Sequence, residues 1–251
     1  MKTYLIKNYI GYFGYPLIKY FKKGTGISSI IFHHIDRSSF FSFEKLITRL
    51  HNELGFIKPN DLDSFFIGKN KIQGKKLLLT FDDGFDSNYY LAKEILEPLG
   101  INALFFVNTN FAKLTKSSDQ KEFMKNNFLF KNDNPNNSEN IDNPEILPMP
   151  FSKMRELIDN GHCIGSHTLS HRRLSKLDSK EELYNEIVKS KKILEKELKT
   201  HIKHFAFPFG DIKSISTEAM KIANNHYKYI YSGVRGLNTI KVKKNAIRRE
   251  S

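Results

Sequence analysis

The sequence predicts a single α/β domain whose parallel strands carry their chemistry at the C-terminal ends. Three observations support this. Short apolar runs alternate with stretches of helical spacing along most of the chain. Residues 75–107 form a strand–turn–helix–strand unit of about 30 residues, the length of a βαβ crossover. Chemistry-bearing residues stand directly after several predicted strands, where sheets and barrels of this class place their sites.

The elements follow in order. After Gly24-Thr25-Gly26, the apolar run 27–32 reads as a buried strand that delivers His33 and His34 at its end. Phe43, Leu46, Ile47, Leu50 and Leu54 recur at helical spacing, and Gly55 stands where a helix C-cap belongs. Residues 75–81 form a second buried strand, closing on Asp82-Asp83-Gly84. A helix over 87–99 is stopped by Gly100, and 102–107 is a third strand. Helix 152–160, strand 162–166, a long amphipathic helix over about 178–198, strand 205–207 and helix 214–226 continue the alternation.

Two segments fall outside this rhythm. Residues 115–150 are rich in Asn and Pro towards their end and read as an exposed insertion loop within the domain. Residues 1–26 form a separate N-terminal segment. Tyr4, Leu5, Tyr9, Tyr12, Phe13 and Leu17 lie among lysines there, giving either a helix packed on the domain or one lying on a membrane surface. The domain proper is expected to span 27–251.

Composition narrows the function. In 251 residues, 39% hydrophobic and 13% aromatic content excludes a wholly disordered chain. A lone cysteine, Cys163, excludes an internal disulfide and any multi-cysteine metal site, and reads as a small core residue. The net charge of +13 is spread as lysine pairs with no run of five like charges. No nucleic-acid partner is therefore expected, and the diffuse field suits at most peripheral contact with an anionic membrane or acidic glycan. The N-terminus lacks an uninterrupted apolar stretch and a small-residue cleavage site, so a cytoplasmic or membrane-surface location is expected.

Three strand-end motifs carry the chemistry. Thr80-Phe81-Asp82-Asp83-Gly84 places two carboxylates side by side; they repel, and a cation bound by one leaves the other free as a base. Alone, Asp-Asp-Gly is a common turn. His167-Thr168-Leu169-Ser170-His171 spaces two histidines at i and i+4, which suits two ligands across one helical turn. In a strand they would lie roughly 13 Å apart. With Asp83 they make a set of two histidines and one carboxylate, which leaves coordination positions open for water and substrate. Phe205-Ala206-Phe207-Pro208-Phe209-Gly210 reads by itself as a buried strand ended by a Pro–Gly turn.

In this order the three motifs resemble those of the polysaccharide deacetylases, the NodB-homology carbohydrate esterases of family 4, from about Ile27 to Arg248. Ile30-Ile31-Phe32-His33-His34-Ile35 resembles the strand of a circularly permuted branch that includes poly-N-acetylglucosamine deacetylases. The resemblance implies a single distorted, permuted (β/α) barrel and a hydrolase acting on carbon–nitrogen bonds of N-acetylated sugars, in a glycan or glycan precursor. It implies Asp82 as general base and His33 as acid. Asp83, His167 and His171 would hold a divalent metal: zinc first, with cobalt, nickel, manganese or iron as alternatives. Pro208 and a backbone N–H near Phe209 would face the developing oxyanion. Ala206 departs from the pattern, since many members carry there an arginine that orients the base. An O-acetyl esterase or a non-catalytic carbohydrate-binding protein on the same scaffold are the competing expectations.

Overall fold

The computed structural model describes residues 24–69, 71–128 and 146–250; the predicted helix at the N-terminus lies outside them. Among the described residues the seven strands are β1 (Gly26–Phe32), β2 (Lys75–Phe81), β3 (Leu104–Val107), β4 (Cys163–Ser166), β5 (His204–Ala206), β6 (Tyr229–Tyr231) and β7 (Arg249–Glu250). All pair in parallel, in the order β6-β5-β4-β3-β2-β1-β7. The ring closes almost completely, because the chain entering β7 also bridges β6 at Tyr231 and Ile247. There the Ile247 N–H donates to Ile230 O at 2.9 Å and the Ser232 N–H to Ile247 O at 2.9 Å. The result is a distorted (β/α) barrel.

Period-2 alternation sorts the strand residues into two layers. Leu78, Leu104, Phe106, Ala206, Tyr229 and Tyr231 pack with one another inside the barrel. Leu77, Leu79, Phe81, Phe105, Ile164, Phe205 and Ile230 face outward into the larger core shared with the helices. Gly165 is fixed by close approach, since a Cβ there would lie 2.6 Å from the Phe106 ring.

The helices cover the outer layer. Helix α1 (Phe40–Glu53) buries Phe43, Ile47 and Leu50, and α2 (Leu62–Phe66) adds Leu62 and Phe65 to the interior cluster. Then follow α3 (Ser87–Leu91, continuing as a π-helical stretch Ala92–Leu96), α4 (Thr109–Ala112), α5 (Ser117–Asn127) and α6 (Phe151–Asp159). Helix α7 runs Lys180–Tyr184, passes through a π-helical turn Asn185–Lys189 and resumes as Ser190–Leu198. The Ser179 side chain caps it, and Ser216 caps α8 (Thr217–His226).

Several expectations shift. The segment read as a loop from about residue 115 begins with α5, which packs through Met124 with Phe85 and Phe111. The strand–helix alternation stops after β6, with no helix between it and β7. Cys163 is only partly buried, its thiol donates to Asn60 Oδ1 at 3.2 Å, and burial pushes that thiol up to about 11, away from reactivity at neutral pH. No helix among the described residues is long and apolar enough to cross a membrane.

Two buried histidines make stability depend on pH. His162 Nδ1 accepts the Ala103 N–H at 3.0 Å, and His204 Nδ1 meets the Tyr231 hydroxyl at 2.9 Å. Burial first, with nearby lysines adding, lowers them from 6.5 to about 4 and about 3. Between 6.5 and those values the unfolded chain binds protons that the folded one refuses, so stability falls as pH falls. Each histidine contributes at most about 1.4 kcal/mol per pH unit in that window. Urea unfolding should therefore show lower stability at pH 5 than at pH 7.5, and equal midpoints would refute this account.

Candidate metal centre and active site

Strand parity builds the first half of the site. With Leu78 facing the barrel interior, Thr80 and then Asp82 follow on the same side. Asp82 is 4% exposed and meets Arg249 of β7, itself 1% exposed. The guanidinium donates from Nη1 to Asp82 Oδ1 at 2.7 Å and from Nη2 to Oδ2 at 3.0 Å. Arg249 Nε donates to Ser232 O at 3.1 Å, and the Phe106 ring lies 5.0 Å from the guanidinium carbon. Burial pushes the Asp82 carboxyl up, but Arg249, His167 and His33 together hold it below the usual carboxylate range.

The chain turns hard after Asp82. Asp83 adopts a left-handed backbone with φ 75°, followed by Gly84 at φ 82°. Only glycine fits that second position, where a Cβ would lie 3.3 Å from Val107 Cα. The turn aims Asp83 at the end of β4. Its Oδ1 lies 3.3 Å from His171 Nε2 and 3.6 Å from His167 Nε2.

The two histidines reach this point without a helix. The expected helical turn over 167–171 is a loop, with left-handed backbone at Thr168 (φ 68°) and His171 (φ 60°), closed by the His171 N–H donating to Thr168 Oγ1 at 3.0 Å. The loop forms because it leaves a strand end and bonds across it: the Thr109 N–H donates to Thr168 O at 3.2 Å and the Asn110 N–H to Leu169 O at 2.9 Å.

The donor set fits one divalent cation. Asp83, His167 and His171 are all buried, and their ligand atoms lie within 4.8 Å of one another. Asp83 Oδ1 is buried without a hydrogen-bond partner among the described residues. His167 Nδ1 donates to Ala206 O at 2.9 Å and His171 Nδ1 to Asn127 O at 3.0 Å, which leaves each Nε2 lone pair facing Asp83. Burial lowers His167 to about 4, so the imidazole is neutral at neutral pH, the form a metal needs. Burial raises the Asp83 carboxyl, but His171, His33 and His167 outweigh it and hold the group well below its ordinary value.

The remaining predicted residues surround this centre. His33 follows β1 directly, near enough for its charge to act on both carboxylates. Its neighbour His34 ties the loop after β1 to the start of α3, with Nδ1 2.9 Å from Ser87 Oγ and Nε2 2.8 Å from Asp36 Oδ1. Pro208 leads into Phe209, whose backbone is left-handed (φ 65°) and whose ring packs edge-on to His171 at 4.9 Å. The Phe128 ring also packs edge-on to His171, at 4.9 Å.

Sequence reasoning missed three contributors. Arg249 pairs with Asp82 through Nη1 and Nη2, but one arginine among 40 basic residues carries no mark of burial. Asn127 acts through its backbone carbonyl, which no side-chain pattern reveals. Phe128 lies in a segment whose composition suggests exposure.

Fold and site together define an α/β barrel protein with a buried centre suited to one divalent cation, flanked by an arginine-held aspartate. The chain belongs to the polysaccharide deacetylase family, whose sequence model matches residues 69–228, more than half of its length. No curated protein sequence matches the chain. Among solved structures it is similar to IcaB from Ammonifex degensii, with a TM-score of 0.68 and 18% identity over 91% of this chain and 92% of that one. The deacetylase PplD from Streptococcus pyogenes, in complex with acetate, gives 0.67 and 18% over 91% and 92%. The BpsB deacetylase domain from Bordetella bronchiseptica gives 0.66 and 15% over 91% and 96%. These likenesses confirm the fold expected from the sequence.

Proposed function

We propose that the protein is a metal-dependent N-deacetylase that releases acetate from N-acetylated sugars of a glycan or glycan precursor. The observation that carries this reading is the juxtaposition of the buried Asp83, His167 and His171 set with an Asp82 held by Arg249. Family membership supports the acyl chemistry, and the similarly folded deacetylase PplD, whose structure is in complex with acetate, is consistent with it.

Asp83 Oδ1, His167 Nε2 and His171 Nε2 would hold the metal, with zinc the expected ion for this donor set. A divalent metal there supplies Lewis acidity that polarises an acetyl carbonyl and makes water acidic. Asp82, kept ionised by Arg249, takes a proton from the attacking water. The carbonyl oxygen gains negative charge as the C–O bond forms, and a backbone N–H at Phe209, downstream of Pro208, would donate to it. His33 gives a proton to the nitrogen as the C–N bond breaks, leaving an amine and acetate.

The test is to incubate the full chain with an N-acetylglucosamine oligomer and, separately, with an O-acetylated sugar. Acetate and free amine should appear together in equal amounts from the first. Acetate from the ester alone would make the protein an esterase, and binding of either sugar without acetate release would make it a carbohydrate-binding protein.

A further inference from the structure

Glu186 has no part in the chemistry above, yet its carboxylate is buried, with the residue 5% exposed, and it turns towards the metal-ligand loop. The carboxylate accepts the Leu169 N–H at 3.1 Å and the Ser170 N–H at 2.9 Å through Oε2, and the Ser170 hydroxyl through Oε1. The Glu186 main-chain carbonyl also accepts the Leu169 N–H, at 3.0 Å. One residue thus holds both positions between Thr168 and His171. It sits in the π-helical turn Asn185–Lys189 of α7, a local widening of the kind often found at functional sites.

The loop needs such a hold. Thr168 and His171 are both non-glycine residues in the left-handed region, and backbone of that kind persists only where neighbours over-determine it. Their conformations direct the Nε2 atoms of His167 and His171 to one carboxylate oxygen. A regular helix starting at 167 would leave the Leu169 and Ser170 N–H groups, among its first four, without intrahelical carbonyls, and here both point at Glu186.

We infer that Glu186 is the positioning residue of the metal centre: by binding Leu169 and Ser170 it fixes the strained loop and so sets the affinity of the His167–His171 pair for a divalent cation. This rests on the reading that Asp83, His167 and His171 hold a metal. Reach matters more than charge in this role. Glutamine can present its oxygen to both backbone N–H groups and its amide to the Ser170 oxygen, whereas aspartate keeps the charge and falls one methylene short.

The experiment is zinc titration of the full chain against a chelating fluorophore, for wild type, Glu186→Gln, Glu186→Asp and Glu186→Ala, with thermal unfolding of each metal-free protein alongside. Glu186→Gln should bind zinc within a few-fold of wild type, while the Asp and Ala variants should bind roughly 10–100-fold more weakly, the range typical of lost outer-shell partners. If the Ala variant does not fold, the ordering of wild type, Gln and Asp still decides. Zinc affinities unchanged in Glu186→Asp, with only the unfolding temperature lowered, would make Glu186 a structural residue and overturn the inference. Wild-type protein that binds no zinc would overturn the reading of the site itself, which the wild-type titration reports separately.

Discussion

Asp82→Asn protein should bind its metal with wild-type stoichiometry and lose activity by about 10²–10⁴-fold, the usual contribution of a positioned general base. Asp82 contributes no atom to the three-ligand set, so metal content should survive the change. Asparagine keeps the shape and one acceptor for Arg249 but has no lone pair basic enough to take a proton from water. His167→Ala should behave differently and lose both metal and activity, because it removes a proposed ligand whose Nδ1 is anchored on Ala206 O. The pair of variants separates base from ligand. Near-normal acetate release from Asp82→Asn would refute the base assignment, and full metal content in His167→Ala would refute the ligand assignment.

Removing Arg249 should have the second largest effect. Arg249→Met leaves a buried Asp82 carboxylate without its counter-charge, and breaking one side of a buried pair costs about 3–5 kcal/mol of stability. The same loss raises the Asp82 pKa, because the first force acting on that group is burial, which opposes ionisation. A base must be ionised to act, so the acidic limb of kcat/KM against pH should move to higher pH. Arg249→Lys keeps the charge but not the two-pronged geometry and should fall between wild type and Met. An acidic limb at the same pH in all three proteins would show that Arg249 does not tune the base.

Much of the barrel was legible because its strands are short, apolar and punctuated by glycines and aspartates. The run from Lys75 to Phe81 is a strand in both readings, and Asp82 and Asp83 follow it directly. Spacing placed His167 and His171 together correctly, but for the wrong local reason. It assumed a helical turn, whereas non-local bonds from Thr109, Asn110 and Glu186 hold a strained loop. Such bonds join residues far apart in sequence, and no periodicity encodes them.

Arg249 shows the same limit from the other end of the chain. The strand that carries it is two residues long and pairs with β1, more than 200 positions earlier. Its burial follows from barrel closure, which becomes visible only when β6 bridges the chain at Ile247. The departure at Ala206 was readable, whereas the Arg249–Asp82 pair was not. Ala206 nonetheless serves the centre through its carbonyl, a role open to any residue.

The central claim is that a metal held by Asp83, His167 and His171 makes this barrel a deacetylase. Acetate release from an N-acetylglucosamine oligomer should be followed with the zinc-loaded full chain, after removal of the metal by chelator, and after zinc is restored. The account predicts release, its loss and its recovery in that order. Undiminished release from metal-free protein would contradict it.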